Sequence, residues 1–385
     1  MYLSILSTFA QTSSPADTAY QSRKLKIDEI NIVSAYYQQN GNNSAVTGGI
    51  GTEHLTDIAN TIDLQISKYG RTSFIKHHFD FELGIDTYTS ASSDKIDPST
   101  ISSASMSDVR VYPSLSWNIE NEKKLTNLGV IASFSNEFDY TSIGGGVNFS
   151  KTSKDKNREV AIKLQVFLDT WKVIYPIELR NRTNSNEHSP RNSFNGSFSI
   201  SQVINKRMQA LLMIEPAYQH GLLATKYQRV YFTNNSKQAE TLPGDRYKLP
   251  IGLRLNYFAG DKVIIRSFYR YYMDSWGIKA NTFELETPVK LTSFVSLSPF
   301  YRYYNQNQAD YFAPYAQHKI TESYFTSDYD LSKFNSNFFG AGIRLSPPKG
   351  VFGVNHLSGM ELRYGHYTRS TGLSSNIISM NLKLK

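Results

Sequence analysis

The feature that most constrains this chain is a two-residue alternation of polar and apolar side chains in SFIKHHFDFELGIDTY, residues 73–88. Its odd positions from Ile75 to Ile85 are apolar apart from one histidine, whereas most even positions are polar or charged. A period of two predicts a β-strand with one apolar face. That face packs on a second sheet in a soluble sandwich, and it contacts lipid in an outer-membrane barrel.

The length and number of the other candidate strands favour the barrel. The alternation in REVAIKLQVFLD extends over residues 158–169, whereas strands of soluble sheets average about five or six residues and membrane strands need about nine to eleven. No run approaches the roughly 20 apolar residues that a membrane helix needs, so a spanning structure would have to be a closed barrel. Sixteen candidate strands can be placed after residue 27, with fourteen as the alternative.

The connections between these strands are mostly long and short in turn. Short periplasmic turns and long extracellular loops are typical of outer-membrane barrels. We therefore expect an all-β protein that forms a single transmembrane antiparallel up-and-down β-barrel. EFDY, DSWG and STGL are brief connections on the long side, so the alternation is imperfect. The long connections are residues 39–57, 89–107, 171–192, 225–244 and 305–331, and the short ones include YGR, ENEKK, KDKN and SPPKG.

The N-terminus is apolar over residues 1–10 and polar and Ser-rich over residues 11–26. We interpret residues 1–10 as the remnant of a signal peptide without its basic region, residues 11–26 as a polar tail and residues 27–385 as the barrel. The net charge of +8 suits acidic lipopolysaccharide or an anionic solute. No basic cluster or nucleic-acid motif accompanies it, so we expect no nucleic-acid partner.

Several phrases resemble a known family: QQNGNNSAVTGGIGTEHLTD, DTYTSASSDKID, SSASMSDVRVYPSLSW, SKTSKDKNRE and YPIELR. In these phrases the chain resembles an uncharacterised family of outer-membrane proteins of the Bacteroidetes type, catalogued as a domain of unknown function. The resemblance implies a β-barrel in the outer membrane, in contact with lipid, lipopolysaccharide and the barrel-assembly machinery. It implies no established activity, substrate or catalytic residue.

The side chains predicted to face the lumen divide into two groups. In the first half they lean acidic, and in the second half they are mostly arginines, with Glu361 as the one acid placed among them. Such a field would orient an anionic or dipolar solute. Alternatively, the charges pair across the lumen and close it. The predicted lumen residues are Asp80, Glu82, Arg110, Arg254, Arg266, Arg270, Arg302, Arg344 and Arg363.

A group of carboxylates falls near the outer ends of the first strands. Carboxylate oxygens with Ser hydroxyls and carbonyls could hold Ca²⁺, whose ligands are oxygen atoms. The alternative is a solvated acidic network paired with Lys95 and Arg110. No other cofactor is predicted, because GGIG lacks the residues of a phosphate-binding loop. The candidate calcium ligands are Glu53, Asp57, Asp86, Asp94, Asp97 and Asp108.

Three functions agree with these patterns. The first is a channel or solute-binding pore for a small polar or anionic solute, with an arginine-lined lumen. The second is a non-conducting barrel that serves as an envelope scaffold or docks an envelope protein. The third is a barrel enzyme that uses loop carboxylates, although the sequence holds no nucleophile-elbow or HExxH motif, so no catalytic residue is predicted.

Overall fold

A computed structural model describes residues 24–71, 74–89, 93–95, 107–180 and 187–385. The predicted signal peptide and nearly all of the polar tail lie outside the described residues. Within them, the secondary structure consists of β-strands and four three-residue 3-10 turns. No helix in the described part of the chain is long and apolar enough to cross a membrane.

Arg229–Tyr231 and Lys237–Ala239 pair in a separate two-stranded sheet, and the other strands form one antiparallel sheet that closes on itself. We number them β1 to β16 in chain order. They are β1 Lys26–Asn42, β2 Thr52–Tyr69, β3 Ile75–Thr89, β4 Ser107–Asn121, β5 Thr126–Asn136, β6 Tyr140–Thr152, β7 Arg158–Lys172, β8 His188–Asn205, β9 Met208–Ile214 with Ala217–Gly221, β10 Asp245–Ala259, β11 Val263–Asp274, β12 Lys279–Glu286 with Val289–Lys290, β13 Val295–Gln306, β14 Phe334–Leu345, β15 Leu357–Arg369 and β16 Leu373–Leu384.

Two of these strands, β9 and β12, are each interrupted by a proline, Pro216 and Pro288. Proline has no amide hydrogen for the ladder, so the regular pairing stops there. The register does not shift: both parts of β9 keep one alignment with β8 and β10. Each interrupted segment is therefore one strand of the wall.

The ring is completed by the first and last strands. β1 pairs with β16 from Ile30 opposite Leu384 to Asn40 opposite Ser374, while its other edge pairs with β2. Every strand of the ring is thereby paired on both of its edges, as a membrane requires of a β structure. The predicted barrel and its preferred count of sixteen strands are confirmed.

The outer face of the ring is apolar. Leu164 and Leu168 of β7 are 54% and 55% exposed, and Phe81 and Ile85 of β3 are exposed in the same way. Their neighbours in sequence face the interior and are polar except for Phe167 and Gly84, which is the arrangement of a lipid-facing wall around a polar lumen.

The connections at the two ends differ as predicted. At the end that holds the chain termini they are short, apart from the Ser346–His356 connection. At the opposite end lie the long loops between β1 and β2, β3 and β4, β7 and β8, β9 and β10, and β13 and β14. We call this the outer end.

Candidate functional site

The six predicted lumen arginines of the second half all lie on the interior face of β10 to β15. Arg254, for example, lies between Leu253 and Leu255, which are exposed on the exterior. Arg302 in turn lies opposite Glu284 in the ladder. We call this group of six arginines the arginine wall: Arg254, Arg266, Arg270, Arg302, Arg344 and Arg363.

Three of these arginines have acidic partners on the wall itself. Arg302 lies 2.6 Å from Glu284, Arg363 lies 3.2 Å from Glu286 and 2.9 Å from Glu361, and Arg266 lies 3.6 Å from Glu286. The prediction that Glu361 was the one acid here is wrong, because the ELE segment of β12 also turns two carboxylates inward.

The ion pair between Arg363 and Glu286 shows that the face carrying the arginine wall points into the barrel. Arg363 is on β15 and Glu286 on β12, with two strands between them. Side chains of strands so far apart meet on the concave side of a curved sheet. The contact therefore lies inside the barrel.

The remaining arginines of the wall, Arg254, Arg270 and Arg344, form no ion pair within 4.0 Å among the described residues. The guanidinium of Arg254 instead lies 5.4 Å from the centre of the Phe268 ring. Arginine stays charged under all ordinary conditions. The wall consequently carries an excess of positive charge.

The other predicted lumen residues lie on β3 and β4. Asp80 accepts a hydrogen bond from Ser116 at 2.9 Å, and on β2 Asp63 accepts from Gln65 at 3.0 Å. These donors are neutral, and neither carboxylate has an ion-pair partner in the described part of the chain; the same holds for Glu82 of β3. We call Asp63, Asp80 and Glu82 the acidic wall.

The two walls face each other. β3 and β11 are half the ring apart in the order of sixteen strands. Arg110 of β4 is an exception on the acidic side, where it donates a hydrogen bond to Ser135 at 3.0 Å. Within the described ranges, no ion pair joins the acidic wall to the arginine wall, so pairing across the lumen is not observed.

The structure describes five of the six candidate calcium ligands. Among the described residues, no group of three or more His, Asp or Glu side chains could hold a metal ion. Asp94 accepts hydrogen bonds from Thr52 instead, and Asp86 accepts one from Tyr112 at 2.9 Å. Asp97 lies outside the described residues, so a calcium site that includes it stays a prediction. The other candidates, Glu53, Asp57 and Asp108, lie at the outer ends of β2 and β4.

Four outer loops meet above the lumen. Arg229, in the loop between β9 and β10, donates hydrogen bonds to Glu178 at 2.6 Å and to the carbonyl oxygen of Val46 at 2.8 Å. Gly49 lies close to Ser327, so that a Cβ at Gly49 would come within 2.8 Å of the Ser327 carbonyl oxygen. We call residues 43–51, 173–180, 222–244 and 307–333 the loop cap.

The contact between Arg229 and Val46 spans the mouth of the barrel. The loop between β9 and β10 and the loop between β1 and β2 are half the ring apart. Two loops at opposite points of a rim can meet only over its opening. The loop cap therefore bridges the outer mouth.

The loop cap has its own apolar interior. One buried cluster contains Val230, Phe232 and Phe325, and in a second Leu223 of the cap packs with Trp276 of the turn between β11 and β12. His318 belongs to a polar loop, yet it is 1% exposed. It hydrogen-bonds Glu322 and the carbonyl oxygen of Thr326, because the long loop folds back on itself there. Packing of this kind holds a loop in one conformation.

A buried carboxylate connects two loops of the cap. Glu240 is 2% exposed, and it accepts hydrogen bonds from the Thr225 amide at 2.6 Å and the Thr326 hydroxyl at 2.5 Å. Burial, with a smaller contribution from the charge of Asp328, raises the pKa of Glu240 to about 8. Burial and the charge of Asp330 raise the pKa of Asp328 to about 7.

The raised pKa values of Glu240 and Asp328 predict that the loop cap loosens as the pH rises. In the packed cap Glu240 stays protonated up to about pH 8, whereas a solvated glutamate releases its proton near pH 4.5. The free energy that favours the packed cap therefore falls progressively above pH 4.5, and this contribution is fully lost above about pH 8. For Glu240 alone, the difference between a pKa of about 8 and one of 4.5 corresponds to a loss on the order of 5 kcal/mol. The substitutions Trp117→Phe and Trp171→Phe leave Trp276 as the single tryptophan. In that protein, we expect acrylamide to quench the fluorescence of Trp276 more strongly at pH 9 than at pH 6.

The same experiment has two matched variants. Glu240→Gln keeps the hydrogen-bond acceptor and removes the charge, so it should remove most of the increase in quenching between pH 6 and pH 9. Asp155→Asn changes an exposed carboxylate in the turn between β6 and β7, and it should leave the increase unchanged. An increase of equal size in all three proteins would contradict a role for Glu240.

The described fold is similar to several solved barrels. Pseudomonas aeruginosa OpdQ is 8% identical, with a TM-score of 0.45, over 94% of this chain and 98% of its own. A BenF-like porin from Pseudomonas fluorescens Pf-5 is 8% identical, with a TM-score of 0.42, over 92% and 98%. CdiB from Acinetobacter baumannii is 9% identical, with a TM-score of 0.45, over 92% and 60%. Similarity at this level carries no argument about function.

No curated protein matches the chain. Residues 86–370 match the family described as "Protein of unknown function (DUF3570)", in agreement with the resemblance read from the sequence. Because that match spans well over half of the 385 residues, the chain belongs to the DUF3570 family.

Proposed function

We propose that this barrel is an outer-membrane channel or solute-binding pore for small anionic or dipolar solutes. The observation that supports this most is the arrangement of unpaired charge: Arg254, Arg270 and Arg344 on one side of the lumen, and Asp63, Asp80 and Glu82 on the other. Opposed charges across a narrow lumen produce a transverse field, which concentrates and orients solutes of matching polarity.

Lipid, lipopolysaccharide and the barrel-assembly machinery are the expected partners of a barrel in this location. The apolar exterior and the pairing of every strand of the ring on both of its edges suit a lipid environment. No nucleic-acid partner is proposed.

Removal of the unpaired arginines should change the ion selectivity of the pore. In planar bilayers under a KCl gradient, we expect the wild type to prefer anions. Arg254→Gln with Arg270→Gln should shift the reversal potential toward cations, because the acidic wall then dominates the lumen field. Lys124→Gln, in the exposed turn between β4 and β5, should leave the potential unchanged. A cation-selective wild type would contradict the proposal.

A second candidate function is a non-conducting barrel that docks an envelope protein. The loop cap favours it, since packed loops bridge the outer mouth. The two candidates differ in one measurement: if both the wild type and a protein with an opened cap are silent in bilayers, the docking barrel is supported.

A barrel enzyme remains a third prediction. It would be wrong if the purified protein hydrolysed neither ester nor peptide substrates.

A further inference from the structure

The interior of the barrel carries an apolar patch where polar side chains are the rule. In β9 both faces are apolar: Leu212 is exposed on the exterior, while Leu211 and Met213 face inward opposite Arg254 and Gly252 of β10. Lumen faces of barrels are normally polar, because water fills them. An apolar patch on such a face suits a ligand that is itself partly apolar.

An aromatic ring lies beside this patch. Phe268 of β11 lies opposite Arg254 in the ladder, and its ring extends over Gly252. A Cβ added at Gly252 would come within 3.1 Å of the Phe268 ring and 3.3 Å of the Met213 methyl group. The absence of a side chain at Gly252 thus lets the Phe268 ring lie against the barrel wall beside Met213.

Three arginines surround the ring. Arg266 and Arg270 are two residues before and after Phe268 on the same face, about 7 Å away along the strand. The Arg254 guanidinium is 5.4 Å from the ring centre. Arg254 and Arg270 have no carboxylate within 4.0 Å in the described part of the chain, and Arg266 is 3.6 Å from Glu286. Glu284 lies opposite Phe268 in the ladder, but it pairs with Arg302 at 2.6 Å, so the charges of Arg254 and Arg270 beside the ring are not neutralised by it.

We propose that Leu211, Met213 and Phe268, with Arg254, Arg266 and Arg270, form a subsite for an aromatic carboxylate. The ligand ring packs on Phe268 and the apolar pair, and its carboxylate accepts hydrogen bonds from Arg254 or Arg270. Offset stacking and charge-assisted hydrogen bonds are individually modest but act together on one planar anion. The inference rests on the proposed solute-binding pore and specifies the class of solute.

The test uses the full chain purified in detergent and calorimetric titration with three probes. 2-Naphthoate carries both a ring and a carboxylate, hexanoate carries only the carboxylate and 2-naphthol only the ring. We expect 2-naphthoate to bind at least about tenfold more tightly than either of the others. Equal affinities for 2-naphthoate and hexanoate would overturn the subsite.

Variants separate the two halves of the subsite. Phe268→Leu should abolish the preference for 2-naphthoate over hexanoate, and Arg254→Gln with Arg270→Gln should weaken 2-naphthoate about tenfold while leaving 2-naphthol unchanged. Phe283→Leu on the lipid-facing side of β12 and Lys163→Gln on the lumen side of β7, four strands from β11, are the controls, and each should bind as the wild type does. An equal loss in Lys163→Gln would overturn the assignment to this position.

Failure of the subsite and failure of the pore give different results. A wild type that prefers anions in bilayers but binds naphthoate no better than hexanoate keeps the pore and overturns the subsite. A cation-selective wild type, or a barrel that is silent both as the wild type and with an opened cap, overturns the pore proposal, and naphthoate binding in detergent then assigns the subsite to a closed barrel.

Discussion

Arg229→Glu should open the outer mouth and raise the single-channel conductance of the barrel in planar bilayers. The guanidinium of Arg229 is almost wholly buried, and it is the group that joins Glu178 to Val46 across the opening. Burial raises the pKa of Glu178, but the hydrogen bonds from Arg229 outweigh burial and lower that pKa to about 2. The carboxylate is therefore ionised at any ordinary pH.

A glutamate at position 229 would place a second negative charge against Glu178. Breaking a buried ion pair costs about 3–5 kcal/mol, which corresponds to a more than hundredfold change in the ratio of open to packed cap. Conductance should rise accordingly, and the calorimetric enthalpy of unfolding should fall because the cap no longer packs.

Lys237→Ala is the matched control for this prediction. Lys237 also reaches Glu178, at 3.3 Å, but its side chain is more than one third exposed. Exposed pairs contribute about 0–1 kcal/mol, so this variant should conduct as the wild type does. If Arg229→Glu and Lys237→Ala had equal conductance, Arg229 would not be the residue that keeps the mouth bridged.

The second large effect is expected for a charge introduced on the lipid-facing exterior of the barrel. Leu164→Arg should prevent assembly of the barrel in membranes, because it places a charge near the middle of the lipid-facing surface of β7. The cost of arginine at the bilayer midplane is about 2–4 kcal/mol. Assembly can be measured by heat-modifiable migration on gels of the membrane fraction.

The neighbouring position provides the control. Gln165 faces the lumen opposite Gly146 of β6, so Gln165→Arg introduces the same charge one residue away, into water instead of lipid. We expect this variant to assemble. Equal assembly of both variants would show that the two faces of β7 have been assigned in reverse.

The barrel itself could be predicted from sequence because alternation is a local signal. In β7, each of Val160, Ile162, Leu164, Val166 and Leu168 identifies the lipid face without reference to any other strand. Turn residues then separate the strands. The same local signal also placed the six wall arginines on the interior face.

The partners of those arginines were harder to predict. Glu286 lies 77 residues from Arg363, and the contact depends on barrel curvature across two intervening strands. The alternation in FELE of β12 does indicate that its two glutamates share one face of the strand. The register then places that face beside Arg302, because Glu284 lies opposite Arg302 in the ladder. The apolar lumen patch had a signal as well, since ALLMI in β9 is apolar at every position.

The loop cap could not be predicted from sequence. Arg229 and the Val46 carbonyl are separated by 183 residues, and nothing in the composition of either loop indicates the other. Glu240 and His318 resemble ordinary polar loop residues, yet both are buried. Their environment arises from packing between loops that become neighbours only through the fold.

The closure of β1 onto β16 governs when that packing can occur. Loops at opposite points of the rim have no fixed separation in an open, unfinished sheet, and they are brought to one distance only when the last strand joins the first. Bridging of the mouth must therefore be a late event of biogenesis, after ring closure. Until then, Arg229 lacks its contact with the Val46 carbonyl oxygen, and a stalled assembly intermediate would expose this part of the loop between β9 and β10 to the envelope's chaperones and proteases.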